Sequence, residues 1–386
     1  MVAHATSREA GKMNFVVRAI TDIKGLSGIQ NSWNAFVNSY GNNPVTLYEF
    51  TKMFLELDRS QGWDPLVLIG YDNDDIVGIA PLIMRDVFGI RIVRFAFKPY
   101  YTTDFIVKDR FRTKFINGLL DLLFQNLKSK VADLAFPTES PNMSILRKIC
   151  NAKGIFWGTE PYIGHCAVIV PPTATWDQFE NSVRGRFKKR FRGLERKLDR
   201  AGSWKISYVQ AETDEFDVSD KILAVDKASW KEDWRAQKNV ENDPELAIIW
   251  KGSKLLAKTT PEFTYSVHFL EIDEKPVAFV ISLRYKQTGA MVKTSFDERY
   301  RAYSPGLVVW NAAFRALFEN KNVKKIDFGT DMPFMRIWRP ICQSRTRVLL
   351  TKGVFPTRVM SLYRNIRVRK LLTRSWSIAK NSNVLD

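Results

Sequence analysis

The chain has 386 residues, 45% of them hydrophobic and 13% aromatic, and a formal charge of +18. This is ample material for two packed domains, which excludes a disordered chain. No apolar run approaches the roughly 18–20 residues of a membrane span, and the N-terminus MVAHATSREAGKMN lacks the apolar segment of a signal peptide. The expected location is the cytoplasm, including peripheral attachment at the inner face of a membrane. Cys150, Cys166 and Cys342 are odd in number and far apart, and no CxxC or Cys/His cluster has metal spacing. The expectation is a reducing compartment with no metal site. Of the three histidines, His4 reads as tail and His268, within TYSVHFLEI, as a packed strand residue.

In chain order, IQNSWNAFVNSY and LYEFTKMFLELDR read as helices. DPLVLIGYD, IVGIAPLIMRD and IRIVRFAF read as strands joined by the short turns NDD and FG, an antiparallel meander. The aromatic stretch KPYYTTDFIV precedes the helix RTKFINGLLDLLFQNL and the strand VADLAFP. Pro171 and Pro172 then interrupt regular structure. The same order begins again about 200 residues on. Helices fall over TWDQFENSVRGRFKKRFRGLERKLDRAG and VSDKILAVDKASWKEDW. The meander is EFTYSVHFLEI, PVAFVISLRY and AMVKTSFD, followed by the helix LVVWNAAFRALFE and the strand KKIDFGT. A strand after a helix crossover pairs in parallel with the strand before the helix. The fold class is therefore α+β: two tandem domains, 14–165 and 166–345, each a mixed, mostly antiparallel sheet flanked by helices. A basic extension follows over 346–386. From Met332 to Leu385 there is no Asp or Glu, and such a segment seeks anionic partners. Val359, Leu362, Tyr363 and Ile366 give part of it one helical face.

Two features point to chemistry. The first is the loop SFDERYRAYSPG. Ser304 suits an N-cap, Pro305 the first helical position and Gly306 the second. A helix start offers unpaired N–H groups, Gly306 permits close approach, and Arg299 and Arg301 add charge, so the loop forms an anion cradle suited to a pyrophosphate. The second is the helix over 181–200. Val183, Phe187, Phe191, Leu194 and Leu198 share one face, while nine basic residues, among them Arg186 and Lys189, oppose only Glu195 and Asp199. Such a surface suits a polyanion: a phosphorylated substrate, tRNA or lipid headgroups.

Meander, phosphate-cradling turn, helix and parallel strand make up the order of the GNAT acyltransferase fold. GIAPL, YYTTDFIV, FPTESPN, RGRFKKRFRGLERKL, KPVAFVISL, SFDERYRAYSPG and IDFGTD together resemble the CelD/BcsL-type acyltransferases, tandem GNAT proteins related to the FemABX peptidyltransferases. The resemblance covers roughly residues 30–345 and is most specific over Arg184–Asp331. It implies an acyl-CoA donor such as acetyl-CoA, no metal, and an amine or hydroxyl acceptor of envelope, polysaccharide or lipid-linked type. The donor cradle would be Arg299, Arg301, Tyr303, Ser304 and Gly306, with an oxyanion donor among the amides of Thr294–Phe296. The glycine-rich turn of the superfamily is replaced by RAYSPG. A Tyr-Lys pair of the relatives is replaced by Phe334 and Met335, with Arg336 one residue on and only Trp338 kept.

Acyl transfer needs a base, and the candidate carboxylates are Asp104, Asp297 and Asp331. Asp104 matches a substrate-side carboxylate of FemABX relatives. Tyr100, Tyr101, Arg186, Lys189, Trp230, Arg336 and Trp338 are candidate substrate contacts. Two other readings stand beside acyl-CoA transfer. One is a FemABX-like, aminoacyl-tRNA-dependent transferase; the other is a non-catalytic protein that binds nucleic acid or an anionic membrane.

Overall fold

The computed structural model describes residues 4–6, 15–41, 43–87, 89–96, 104–183, 185–210, 218–229 and 244–352. The chain divides into two compact units, one of residues 1–41, 45–163 and 344–386, the other of residues 42–44 and 164–343.

In the first unit, β1 (His4–Thr6) pairs with β2 (Phe15–Ile20), and β2 with the meander β3 (Asp64–Asp72), β4 (Asp75–Val87) and β5 (Ile90–Phe95), all antiparallel. Helices α1 (Gln30–Tyr40) and α2 (Tyr48–Ser60) precede β3. The short β6 (Ile106–Val107) joins β4. Helix α3 (Arg112–Asp121) leads to β7 (Val131–Pro137), which runs parallel to β5. Helix α4 (Pro141–Ala152) follows, with the Ser140 hydroxyl accepting from the Asn142 and Met143 amides. Phe115 of α3 packs on two glycines of the meander: a Cβ at Gly70 or Gly78 would lie 2.7 or 2.6 Å from its ring. Those glycines let the helix seat closely on the sheet.

The second unit repeats this order. Its first strand is the last part of β8 (Phe156–Ile169), from residue 164 onward. Then come α5 (Trp176–Ser182), α6 (Arg186–Leu198), β9 (Trp204–Gln210), α7 (Ser219–Lys227) and α8 (Pro244–Thr259). The meander is β10 (Phe263–Ile272), β11 (Lys275–Tyr285) and β12 (Thr288–Phe296). Its first turn places Asp273 and Glu274 both at positive φ, 48° and 64°, the hand that matches strand twist. Helix α9 (Pro305–Glu319) crosses to β13 (Lys325–Asp327), which is parallel to β12 and antiparallel to β8. A final strand, β14 (Ile341–Thr351), follows.

The expected meanders, crossover helices and parallel closing strands are all present. Strands β1, β2, β6, β8, β9 and β14 are additions, and β1 includes His4, which was expected in a tail. Residues 345–351 pair with β7, so the start of the segment expected as a basic extension is a strand of the first unit. The remainder of that segment, with its amphipathic helix expectation, lies outside the described residues. The basic helix expected over 181–200 is two helices, α5 and α6, with Val183 in extended conformation between them. Thr175 and Gln178 start α5 with a reciprocal capping box. The proposed apolar face does pack: Val183, Phe187, Phe191, Leu194 and Leu198 are all buried in the core of the second unit.

Candidate active site

Strand β12 carries the site. β13 pairs only with its first residues, Thr288, Gly289 and Ala290, and ends at Asp327, whereas β12 continues to Phe296. Opposite β11 the register slips, Ile281 facing Lys293 and Ser282 facing Met291, so Val292 is an unpaired bulge residue. The Asp297 amide donates to Val277 O at 2.8 Å. Amides alternate in direction along an antiparallel strand, so those of Thr294 and Phe296 point away from β11, toward the side that β13 has left. β12 thus turns backbone N–H groups toward an edge that β13 leaves after Ala290, running from the bulge to the start of α9.

At that end lies the loop singled out in the sequence. Asp297 begins a 3₁₀ turn, Glu298–Tyr303, by accepting from the Arg299 amide. Pro305 is the first residue of α9, as expected. Ser304 departs from expectation. It occupies the N-cap position, but in the left-handed region at φ 52°, and its side chain caps nothing. Its backbone carbonyl accepts from the Leu307 and Val308 amides instead. The Gly306 N–H meets no acceptor among the described residues. A Cβ at Gly306 would approach Phe296 Cδ1 to 3.0 Å, so glycine is what lets the helix start sit against the end of β12. Tyr303 packs against the core of the second unit, 6.3 Å from the Tyr300 ring. Arg299 and Arg301 are exposed, each held by a local carboxylate: Arg299 bonds Asp297 at 2.6 Å and Arg301 reaches Glu298 at 3.4 Å. An exposed end, positive donors and a free amide fit a pyrophosphate.

The candidate carboxylates occupy three different environments. Asp297 is buried; burial alone would raise its pKa, but the hydrogen bonds from Arg299 outweigh this and hold it below the usual carboxylate range. It serves as a cap and ion-pair partner. Asp331 is half-buried and pairs with Arg336 at 3.2 Å. Asp104 belongs to the first unit. Its Oδ1 accepts from the Phe105 amide at 2.7 Å and from Asn142 Nδ2 at 2.8 Å. Burial raises its pKa despite those bonds.

Trp338 requires correction as a substrate contact. It is 0% exposed, its Nε1 donates to Asn311 Oδ1 at 3.0 Å, and it packs among Phe191, Trp310, Phe314 and Phe328. Its size and lack of charge carry it into the core. Met335 is likewise buried, while Phe334 beside it is exposed. Lys189 is exposed on α6, where it lines an open cleft of about 640 Å³ with Lys188, Arg192 and Arg196. Arg186 is the first residue of that helix. Tyr100, Tyr101 and Trp230 lie outside the described residues.

Sequence reasoning missed two pairings. Cys166 and Cys342 form a disulfide across 176 residues, a pairing not expected from three cysteines so far apart. Asp331 brings a carboxylate oxygen close to both sulfurs, but the bridge occupies the thiols as metal ligands. The second pairing is His165 with Asp327, Nε2 to Oδ2 at 2.8 Å, on neighbouring strands β8 and β13. His268 is a packed strand residue, as expected, and burial pushes its pKa down to about 4. No helix among the described residues is long and apolar enough to cross a membrane.

Residues 185–335 match the model of the acetyltransferase (GNAT) domain. No curated protein matches the chain. Among solved structures it resembles FemX, with TM-score 0.55 and 11% identity over 82% of this chain and 95% of that one. It also resembles a DUF2156 domain from Agrobacterium fabrum, named for lysylphosphatidylglycerol synthetase, with TM-score 0.51 and 12% identity over 86% and 94%. A conserved protein of unknown function from Bacteroides thetaiotaomicron gives TM-score 0.51 and 11% identity over 84% and 97%. At such identities the likeness is one of fold. The protein has a GNAT-like fold of mixed sheets with flanking helices, and its residues 185–335 are similar to the acetyltransferase (GNAT) domain.

Proposed function

We propose that the second unit binds acyl-CoA along the free edge of β12 and transfers the acyl group to an amine or hydroxyl acceptor, as an N-acyltransferase of the CelD/BcsL type. The observation that carries this reading is the open edge itself. It runs from a bulge, past amides turned away from β11, to a positively charged helix start. From Val292 to Phe296 is about 13 Å of extended strand, a span suited to a pantetheine arm. The pyrophosphate would lie at Gly306, with Arg299 and Arg301. The acyl carbonyl would lie toward the bulge, where backbone N–H groups stabilise the oxyanion of the tetrahedral intermediate.

The basic face of α6 supports an anionic acceptor, such as a lipid-linked or phosphorylated envelope precursor. The same face supports a second reading, an aminoacyl-tRNA donor. Salt separates the two, because phosphate-backbone binding weakens steeply with salt, while burial of a pantetheine arm does not.

Titration with acetyl-CoA tests the donor site. Gly306→Ala keeps the amide and asks only a small shift of Phe296, so its dissociation constant should stay within about threefold of the parent, well under 1 kcal/mol. Gly306→Glu places a carboxylate in the pyrophosphate seat, and affinity should fall by at least about 100-fold, roughly 2.7 kcal/mol. Equal affinity in both variants removes the cradle from the reading.

A further inference from the structure

Resting on the acyl-CoA reading, we propose that His165, oriented by Asp327, is the general base that takes the proton from the acceptor nitrogen. Asp327 lies opposite Ala290 of the parallel neighbour β12 and opposite Ala167 of the antiparallel neighbour β8. Two residues further along β12 is the bulge residue Val292. The same step along β8 runs backward, to His165. The backbone of His165 is therefore level with the bulge. Between them the intervening strand has stopped: Phe328 makes one last bond, its amide to Cys166 O at 2.8 Å, and Gly329 at φ 71° turns the chain aside. Two strand spacings, roughly 10 Å, separate β8 from β12 at this level. A thioester and an attacking amine fill a gap of that width.

The hydrogen bonds fix the imidazole's chemistry. Asp327 Oδ1 accepts from the Gly329 amide at 2.7 Å, and Oδ2 lies 2.8 Å from His165 Nε2 and 3.3 Å from Lys325 Nζ. Burial alone would raise the Asp327 pKa, but His165 and Lys325 hold it below the usual range, so the carboxylate stays ionised. A carboxylate accepts, so Nε2 carries the proton toward Asp327, and in the neutral imidazole the lone pair is then on Nδ1. Nδ1 has no partner among the described residues, yet it is not among the fully enclosed polar atoms.

The first unit supplies an internal control. Asp133 occupies the corresponding place on β7, opposite Arg94 and Leu349. Two residues before Leu349, in the slot that His165 fills in the second unit, is Arg347. It holds Asp133 with two bonds of 2.5 Å. A guanidinium cannot take up a proton, and the residue opposite is a bulky arginine where the second unit has Ala290. One slot is a fixed ion pair; the other holds a group able to accept and return a proton.

In the step proposed, the amine nitrogen attacks the thioester carbonyl as its proton passes to Nδ1. The new C–N bond forms, the C–S bond breaks, and the proton moves from Nδ1 to the leaving thiolate. The products are amide and free CoA thiol, with no net proton change.

Bromoacetyl-CoA tests this without knowledge of the acceptor. Its methylene lies where an acyl methyl would, and Nδ1 displaces bromide from it. The expected result is one alkylated residue, His165, identified by peptide mass spectrometry and suppressed by excess acetyl-CoA. His165→Gln, which retains a donor to Asp327, should still bind acetyl-CoA within about threefold but lose labelling more than tenfold. In Asp327→Asn, ¹⁵N spectra should show that the Nε2–H tautomer is no longer enforced, even where melting is unchanged. Acetyl-CoA binding with labelling elsewhere, or with none, overturns His165 while the donor site stands. Failure of any CoA to bind overturns both.

Discussion

At the scale of single residues, each carboxylate is defined by its neighbours. Asp297 looked in sequence like a base at the mouth of a cradle, and its carboxylate caps the following 3₁₀ turn and pairs with Arg299. Its folded pKa lies below the ordinary value near 3.9. Its stabilising contribution is thus present above that value and is lost as pH falls through the lowered one. Asp297→Asn should cost about 1–3 kcal/mol at pH 7, and the difference from the parent should narrow progressively in unfolding curves taken at pH values below about 3.9. A constant difference across that range would mean the charge is irrelevant. Trp338 shows why sequence misplaced some residues: an aromatic in a basic, loop-like stretch reads equally well as a contact or as core. His165 and Asp327 are 162 residues apart, and no local pattern joins them. Only strand register does, and register is the least legible property of a sheet.

At the scale of elements, the sequence was far more informative. Short polar turns between apolar runs gave both meanders, and an apolar run of helical length gave each crossover. Of the strands that were missed, β8 contains Pro161 and β14 follows Pro340, and a proline argues locally against a strand. Helix α7 is tied to β12 by a buried pair, Lys293 Nζ to Asp226 Oδ2 at 2.8 Å, with both residues under 9% exposed. Truncating one partner strands a buried charge, so Lys293→Met should destabilise by about 3–5 kcal/mol, whereas the double change Asp226→Leu with Lys293→Met should recover most of that loss. Additive losses in chemical denaturation would show that the two do not act as a pair. Helix α6 turns a buried apolar face inward and presents Lys189, Arg192 and Arg196 outward. Changing these three to Glu should weaken binding to anionic vesicles and to RNA, and reduce the salt dependence of that binding by up to about three charges. Unchanged binding of both would leave the helix as a solvated face.

At the scale of the whole molecule, the chain repeats one plan twice and gives the copies different chemistry. The repeated order of elements was legible because each copy must bury a meander under a crossover helix. The difference between the copies was not, because it depends on which side chains meet across strands: arginine against Asp133 in one unit, histidine against Asp327 in the other. The central claim is that the second unit is an acyl-CoA site, and thermal melting of the full chain with acetyl-CoA and longer acyl-CoAs, at low and high salt, tests it most directly. A ligand at ~100 times its dissociation constant adds roughly 2.7 kcal/mol of stability. The account predicts a raised melting temperature that persists in high salt. No shift with any CoA, at concentrations up to the millimolar range, would contradict it.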